Sequence, residues 1–129
     1  MPKAKPLISI VEDDESVREA IKGLMRSLGY RVEAVASPQE FLSSRFVRRT
    51  SCLIADVQMP GMTGLELYQR LCTSGKPVPT ILITAYPDDG VRERALAAGV
   101  IGYLSKPFEE DDLLACIRSA LTHARSGGR

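Results

Sequence analysis

Five short apolar runs, rich in β-branched residues, recur along the chain and limit the folds open to it more than any other feature. Their first residues lie 21 to 26 positions apart, and helix-like segments fill the intervals. Strands that alternate with helices predict an α/β domain, in which helices cover both faces of a parallel sheet. The predicted strands are residues 7–11, 31–35, 52–57, 78–84 and 100–104.

Helix signals occupy the intervals between these runs. The first helix closes at Gly29, and the second opens with the capping-box pattern of residues 37–40, which places proline at the first helical position. The fourth runs from about Asp88 to Ala98, and the fifth begins at Glu109, where the helix dipole favours its acidic first turn. The third follows Thr63 and is predicted to turn four side chains inward: Leu65, Tyr68, Leu71 and Cys72.

Length and composition indicate one domain. The chain has 129 residues, of which 44% are apolar, and this is enough for a single core. The predicted divisions are an N-terminal tail at 1–6, one domain at 7–122, and a tail or the start of a linker at 123–129.

Charge and cysteine content exclude several classes of function. With 17 basic and 16 acidic residues, the net charge of +1 gives no electrostatic reason for binding nucleic acid or a membrane surface, and we expect direct binding to neither. The apolar stretch that follows the N-terminal lysines ends at Val11, too soon for a signal peptide or a membrane span, so we expect a soluble cytoplasmic protein. The three cysteines, Cys52, Cys72 and Cys116, are predicted to be reduced packing residues.

Polar residues collect where the predicted strands end. Residues 12–14 follow the first strand, Asp56 ends the third, Thr84 ends the fourth, and Lys106 follows the fifth. The second strand ends without a charged residue. Because open parallel sheets bind ligands beyond the carboxyl ends of their strands, these side chains are predicted to form one site.

The residue types in this cluster suit phosphoryl chemistry. Grouped carboxylates repel each other unless a cation lies among them, and Mg²⁺ prefers oxygen ligands together with water and phosphate. Lys106 can pair with one phosphoryl oxygen, and Thr84 can donate a hydrogen bond to another. Asp56 is the predicted acceptor, because an aspartate can act as a nucleophile and form an acyl phosphate.

Four motifs carry a resemblance to a known family. They are VEDDESVR at 11–18, DVQMPGMTG at 56–64, ILITA at 81–85 and GYLSKPF at 102–108, in order and each at a strand end. With these motifs the chain resembles the receiver domains of bacterial two-component response regulators, in particular those of FixJ-type regulators, over roughly residues 6–122. The resemblance implies a doubly wound (βα)5, flavodoxin-like (CheY-like) three-layer sandwich with a five-stranded parallel sheet in the order 2-1-3-4-5.

The resemblance also implies roles for individual residues. Asp56 takes the place of the phosphoacceptor, Lys106 that of the lysine that contacts the phosphoryl group, and Thr84 that of the switch hydroxyl. Tyr103 matches the switch aromatic, and the backbone carbonyl of Gln58 matches a Mg²⁺ ligand. A cis Lys106–Pro107 peptide bond is expected on the same ground. From the resemblance, Gln58 and Tyr86 are also expected to influence the lifetime of the phosphoryl group on Asp56.

The run of acids after the first strand must be divided between metal ligands and a helix start. In receivers an arginine of the first helix follows the second acid of a pair by five positions, so Arg18 makes Asp13 the second acid and Glu12 the first. The separation of 43 residues from Asp13 to Asp56 fits as well. Asp13 is therefore assigned as a direct Mg²⁺ ligand and Glu12 as an outer-sphere ligand. Asp14 is predicted to cap the first helix or to lie in its first turn.

The function that the resemblance implies is a phosphorylation switch. A sensor histidine kinase would supply the phosphoryl group, and Asp56 would accept it in a Mg²⁺-dependent reaction. The domain would catalyse only its own phosphorylation and dephosphorylation, and its helix 4–strand 5–helix 5 face could form a homodimer. A non-phosphorylated pseudo-receiver that only binds partners is the alternative. A phosphohydrolase of the haloacid type is disfavoured, because Val57 and Gln58 follow Asp56 without the second aspartate of that pattern.

Overall fold

The protein folds as a five-stranded parallel sheet in the order β2-β1-β3-β4-β5, flanked by helices. The computed structural model describes the backbone of residues 5–127 and the side chains of residues 5–122. Its strands are β1 (Leu7–Val11), β2 (Arg31–Val35), β3 (Thr50–Asp56), β4 (Thr80–Thr84) and β5 (Gly102–Ser105). Its helices are α1 (Glu15–Ser27), α2 (Pro38–Leu42), α3 (Gly64–Thr73), α4 (Asp89–Ala98) and α5 (Glu110–Gly127). The predicted fold class and strand order are confirmed.

Several element boundaries differ from the prediction. β5 begins at Gly102 rather than at residue 100, because the Val100 N–H donates to the Ala95 carbonyl and still belongs to the end of α4. β4 begins at Thr80, after Pro79, which has no N–H to give to the sheet. β3 gains Thr50 and Ser51 and ends one residue early, while α2 is a single short helix followed by a 3₁₀ turn at Val47–Arg49.

The ends of the chain leave the predicted domain limits untested. Helix α5 continues past residue 122, where the sequence suggested a tail or linker. Residues 1–4 of the predicted N-terminal tail, and 128–129 of the C-terminal one, lie outside the described residues. Within residues 5–127, no helix combines the length and the apolar character needed to cross a membrane.

Side chains alternate across each strand, and this divides the interior into two cores. One core joins the sheet to α1 and α5 through twelve buried residues: Ile8, Ile10, Ile21, Met25, Val32, Cys52, Ile54, Ile81, Ile83, Leu113, Ile117 and Ala120. The other joins the opposite face to α2, α3 and α4, with Leu53, Leu67 and Leu82 among its members. Because β1, β3 and β4 are covered on both sides, their near-continuous apolar sequences are explained.

One inward prediction for α3 was wrong. Cys72 is exposed, whereas Leu67, Tyr68 and Leu71 are buried against the sheet. The buried stripe of α3 is therefore rotated toward Leu67 relative to the predicted face. Cys52 is buried, and burial raises the pKa of its thiol to about 12, which keeps it protonated and unreactive.

Side-chain caps fix where four helices begin. Ser37 caps α2 by accepting the Glu40 N–H at 3.1 Å, as the pattern of residues 37–40 predicted. Asp14 caps α1 by accepting the Val17 N–H at 3.1 Å, which confirms the predicted capping role of this acid. Thr63 and Glu66 form a reciprocal capping box at the start of α3. Asp88 caps α4 through the Val91 N–H at 3.0 Å. Each of these caps lies just beyond the carboxyl end of a strand, so the caps set the path of the loops there.

Gly64 brings the start of α3 against the end of β3. Its N–H donates to the Val57 carbonyl at 3.0 Å, and a Cβ at this position would overlap the backbone carbonyl oxygen of Asp56. A Cβ would also lie 3.0 Å from a methyl carbon of Leu82. Only glycine permits this approach, because the neighbours on that side are backbone and core.

Replacing Gly64 with alanine should destabilise the fold. Since backbone must move to make room, we expect Gly64→Ala to lower the free energy of unfolding by about 1–3 kcal/mol in urea titrations. Gly23→Ala is the matched control, because this glycine lies in α1 with open space around it. The control should stabilise the protein by about 0.4–1 kcal/mol. Equal effects of the two substitutions would contradict the close approach at Gly64.

Candidate functional site at the carboxyl edge of the sheet

The ends of three strands bring two carboxylates and one ammonium together. Val11 of β1 pairs with Ala55 of β3, so the next residues, Glu12 and Asp56, lie side by side at the edge of the sheet. Lys106 follows β5 and extends its Nζ to 2.8 Å from Glu12 Oε1 and 3.0 Å from Asp56 Oδ2. The three residues are 94 and 50 positions apart in the sequence, and the strand order alone brings them into contact.

Burial controls the electrostatics of this group. Glu12 is 0% exposed and Asp56 is 6% exposed. Burial raises the pKa of Glu12 to about 7, and the neighbouring Asp56 adds to the rise against the opposing effects of Lys106 and the Asp14 N–H. Burial works against the charge of Lys106, but its hydrogen bonds to Glu12 and Asp56 raise the pKa of the ammonium above its ordinary value. Lys106 therefore stays charged at neutral pH.

The acids can supply ligands to a metal ion. One carboxylate oxygen from each of Glu12, Asp13 and Asp56 lies within 4.8 Å of the others. Asp13 is exposed, so an ion bound there would keep access to water, as Mg²⁺ prefers. Asp14 contributes no ligand to this group, and its backbone N–H donates to Glu12 Oε2 at 3.0 Å. An all-oxygen donor set at this spacing fits Mg²⁺.

A second hydrogen-bonded group lies on the other side of Asp56. The Gln58 N–H donates to Asp56 Oδ1 at 3.0 Å, and the Gln58 side chain accepts the Thr84 hydroxyl at 2.6 Å. Thr84 is 0% exposed, and its hydroxyl also accepts the Tyr86 N–H at 2.9 Å. The Tyr86 side chain is 73% exposed. Both oxygens of the Asp56 carboxylate are thus oriented, one by Lys106 and one by Gln58.

Tyr103 connects β5 to the start of α4. Its ring is half-buried, and its hydroxyl accepts the backbone N–H of Asp88 at 3.1 Å. At the other end of α4, the Tyr68 hydroxyl donates to the Ala98 carbonyl at 3.3 Å. Ala95 is the one buried residue of α4, and Val91 packs against the core while partly exposed, so the tyrosine hydroxyls add a contact at each end of a helix with few buried residues.

Two contacts of this site were not predicted from the sequence. The Arg18 guanidinium donates from Nη1 to the Glu12 carbonyl at 2.9 Å, although Arg18 was predicted only to mark which acids form the pair. The Gln58 side chain contacts Thr84, although Gln58 was expected only to supply a backbone carbonyl ligand and to influence the lifetime of the phosphoryl group. Glu12 and Arg18 are only six positions apart, but the guanidinium bonds a backbone carbonyl, which no residue type marks in the sequence. The Gln58 contact has no local signal, because it joins the loop after β3 to the last residue of β4. The cis Lys106–Pro107 bond expected from the resemblance is present.

Comparison with known proteins identifies the class of this fold and site. The family described as "Response regulator receiver domain" matches residues 8–118. The chain belongs to this family, whose members are signalling domains of two-component systems rather than conventional enzymes. Receiver domains generally bind Mg²⁺ at an acidic pocket, which agrees with the acidic group at Glu12, Asp13 and Asp56.

Individual relatives support the family assignment. The chain is 40% identical to the response regulator protein TmoT of Ectopseudomonas mendocina over 94% of its own length and 55% of that protein. It is 32% identical to the transcriptional regulatory protein FixJ of Bradyrhizobium diazoefficiens over 95% of its length and 60% of that protein. The chain thus spans about half the length of the curated relatives it matches.

Comparison with solved structures supports the same family assignment. The response regulator StyR superposes with a TM-score of 0.88 at 41% identity, covering 95% of this chain and 62% of that one. FixJ-N superposes with a TM-score of 0.83 at 30% identity, covering 94% of this chain and 97% of that one. The likeness to FixJ-type receivers proposed from the motifs is therefore confirmed.

The raised pKa of Glu12 predicts a specific dependence of stability on pH. Between its ordinary pKa of 4.5 and its folded value of about 7, the folded protein holds a proton that the unfolded chain has lost. This contribution to stability is therefore present at low pH, falls as the pH rises to about 7, and is constant above it. In EDTA, the free energy of unfolding of the wild type minus that of Glu12→Gln should fall by on the order of 1–3 kcal/mol from pH 5 to pH 8.

An exposed acid supplies the control for this measurement. Glu93 lies on the solvent side of α4. The free energy of unfolding of the wild type minus that of Glu93→Gln should stay constant over the same pH range. A constant difference for Glu12→Gln as well would mean that Glu12 titrates normally in the folded protein.

Proposed function

We propose that this domain accepts a phosphoryl group on Asp56 from the phosphohistidine of a sensor histidine kinase, in a Mg²⁺-dependent reaction, and switches conformation as a result. The observation that carries the proposal is the contact of one partly buried ammonium, Lys106, with both Glu12 and Asp56, two carboxylates that together with Asp13 are spaced to hold a cation. A carboxylate nucleophile, a fixed cation and a metal-binding group are the parts that phosphoryl transfer requires.

The proposed reaction exchanges one bond to phosphorus for another. A carboxylate oxygen of Asp56 forms the new P–O bond while the N–P bond of the phosphohistidine breaks, and the bonding electrons return to the imidazole ring. Lys106 donates a hydrogen bond to Asp56 Oδ2, so it is placed to pair with a phosphoryl oxygen as negative charge moves from the carboxylate to the phosphoryl group. The Gln58 N–H holds Asp56 Oδ1, so the carboxylate plane is fixed before the donor arrives. Hydrolysis of the acyl phosphate by water would return the domain to its starting state.

The proposed metal ligands are Asp13 and Asp56 directly, Glu12 through water, and the backbone carbonyl of Gln58. Bound there, Mg²⁺ would neutralise negative charge on the phosphoryl oxygens. Burial of Glu12 and Asp56 removes competing water from one side, while the exposed Asp13 leaves the other side open to the phosphoryl donor.

The proposed switch connects the phosphoryl group to α4 and β5. Thr84 would donate its hydroxyl to a phosphoryl oxygen, and Tyr103 would turn inward as Thr84 moves. That motion breaks the hydrogen bond from the Asp88 N–H to the Tyr103 hydroxyl, which now holds the start of α4. The α4–β5–α5 face would change with it, and we propose this face as the homodimer surface. The proposal assigns the domain no direct contact with nucleic acid or membrane.

Of the acids, Asp56 alone should carry the phosphoryl group. With Mg²⁺ and acetyl phosphate, intact-protein mass spectrometry should detect the addition of one phosphoryl group to the wild type and none to Asp56→Asn. Asp111→Asn, an exposed acid in the first turn of α5, is the matched control and should be modified as the wild type is. Lys106→Met should slow modification by about 100-fold or more, because the fixed cation is lost.

Other outcomes of the phosphorylation test would point elsewhere. A wild type that gains no mass is a pseudo-receiver that only binds partners. Release of many equivalents of phosphate from a phosphoester would indicate a hydrolase. Either result would overturn the proposed function.

The affinity for Mg²⁺ should depend on Asp13 and much less on its neighbour Asp14. Asp13→Asn should weaken Mg²⁺ binding about tenfold or more in titrations followed by NMR, because a ligand is lost. Asp14→Asn should change the affinity by less than about twofold, since this residue offers no ligand and asparagine still caps α1. The reverse order of effects would show that the assignment of the acids is displaced by one residue.

A further inference from the structure

Thr84 has only one proton to donate, and Gln58 already receives it. The hydroxyl oxygen of Thr84 lies 2.6 Å from Gln58 Oε1 and accepts the Tyr86 N–H at 2.9 Å. A threonine hydroxyl combines a single O–H donor with acceptor lone pairs. The backbone N–H of Tyr86 occupies an acceptor position, so the donor position is the one directed at Gln58.

The distance identifies which atom of the Gln58 amide faces Thr84. A separation of 2.6 Å falls within the range of about 2.5–3.0 Å for O–H···O hydrogen bonds and is shorter than the range of about 2.7–3.2 Å for N–H···O. The carbonyl oxygen of the side chain therefore faces Thr84, as an acceptor. The opposite orientation of the amide would leave the proton of Thr84 free, and the short distance argues against it.

We propose that the Gln58 side chain is a positioning residue that holds Thr84 in the unphosphorylated state and competes with the phosphoryl group for its proton. This inference rests on the proposed function, because the competitor is the group carried by Asp56. Phosphoryl oxygens that face a metal ion and Lys106 are acceptors, so Thr84 engages them only by donating. It must release Gln58 to do so.

The position of Gln58 suits it to this role. Its backbone N–H donates to Asp56 Oδ1 at 3.0 Å, while its side chain accepts from Thr84, so a single residue contacts both the acceptor and the switch hydroxyl. Gln58 is exposed, whereas Thr84 is 0% exposed. Once released, the amide regains hydrogen bonds to water, and the restraint is weak enough to break. The expected effect is that of one neutral hydrogen bond, about 2- to 10-fold in the switching equilibrium.

Beryllofluoride provides a probe for this competition, because it is a phosphoryl analogue that needs no kinase. Gln58→Met keeps the length of the side chain but removes the acceptor, so Thr84 is free to engage the probe. At saturating Mg²⁺, NMR titration should give an affinity for beryllofluoride about 2- to 10-fold higher in Gln58→Met than in the wild type. Gln69→Met, the same substitution at an exposed position of α3, should bind as the wild type does.

The Thr84→Val background tests whether the effect passes through Thr84. Without the hydroxyl there is no proton to compete for, so adding Gln58→Met should change the affinity by less than about twofold. A merely structural role of Gln58 would give the same change in both backgrounds, and this would overturn the inference. Thr84→Ala replaces Thr84→Val if thermal unfolding shows that valine disturbs the fold.

The wild-type protein separates failure of this inference from failure of the proposed function. If the wild type neither gains a phosphoryl group nor binds beryllofluoride, the proposed function falls and the inference falls with it. If the wild type binds the probe and Gln58→Met binds it equally or more weakly, the inference alone is overturned. Tighter binding that requires the Thr84 hydroxyl supports both.

Discussion

The burial of Glu12 and Asp56 side by side is the constraint on which the rest of this structure depends. Two carboxylates that have lost water repel each other, and Lys106 is the cation that reaches both, at 2.8 and 3.0 Å. In the strand order β1-β3-β4-β5, the Lys106 side chain must cross the end of β4 to reach them. The strand order therefore brings Lys106 within reach of the two acids, and the ammonium compensates their buried charge.

Hydrogen bonds extend from this buried group toward the surface in one direction. Asp56 is linked to Gln58, Gln58 to Thr84, and Thr84 to the Tyr86 N–H, two residues before the cap of α4 at Asp88. The Lys106 N–H also donates to the Thr84 carbonyl at 2.7 Å, which joins β5 to the same path. Helix α4 buries little beyond Ala95. A weakly packed helix at the end of such a path is the element that rearranges at least cost.

Local signals predicted much of this, because they involve residues close in sequence. Apolar runs mark the strands, Asp14 and Thr63 have the residue types of helix caps, and the count to Arg18 separates Asp13 from Asp14. The boundaries of β5 and the buried face of α3 were misplaced, since both depend on packing between elements. The hydrogen bond from Thr84 to Gln58 joins the end of β4 to the loop after β3, across 26 positions, and the residue types alone do not predict it.

Phosphorylation of Asp56 would move negative charge rather than simply add it. Formation of the acyl phosphate would turn the carboxylate that Lys106 now contacts at 3.0 Å into the uncharged carbonyl side of a mixed anhydride and place the charge farther out, on phosphoryl oxygens. Glu12 remains fully buried and fixed by the Asp14 N–H, so one partner of Lys106 stays while the other moves outward. Thr84 would also face this outward movement of negative charge, while its hydroxyl donates to Gln58. Under the proposed function, how far Lys106 moves would therefore depend on the balance between its attraction to the fixed Glu12 and to the displaced phosphoryl charge.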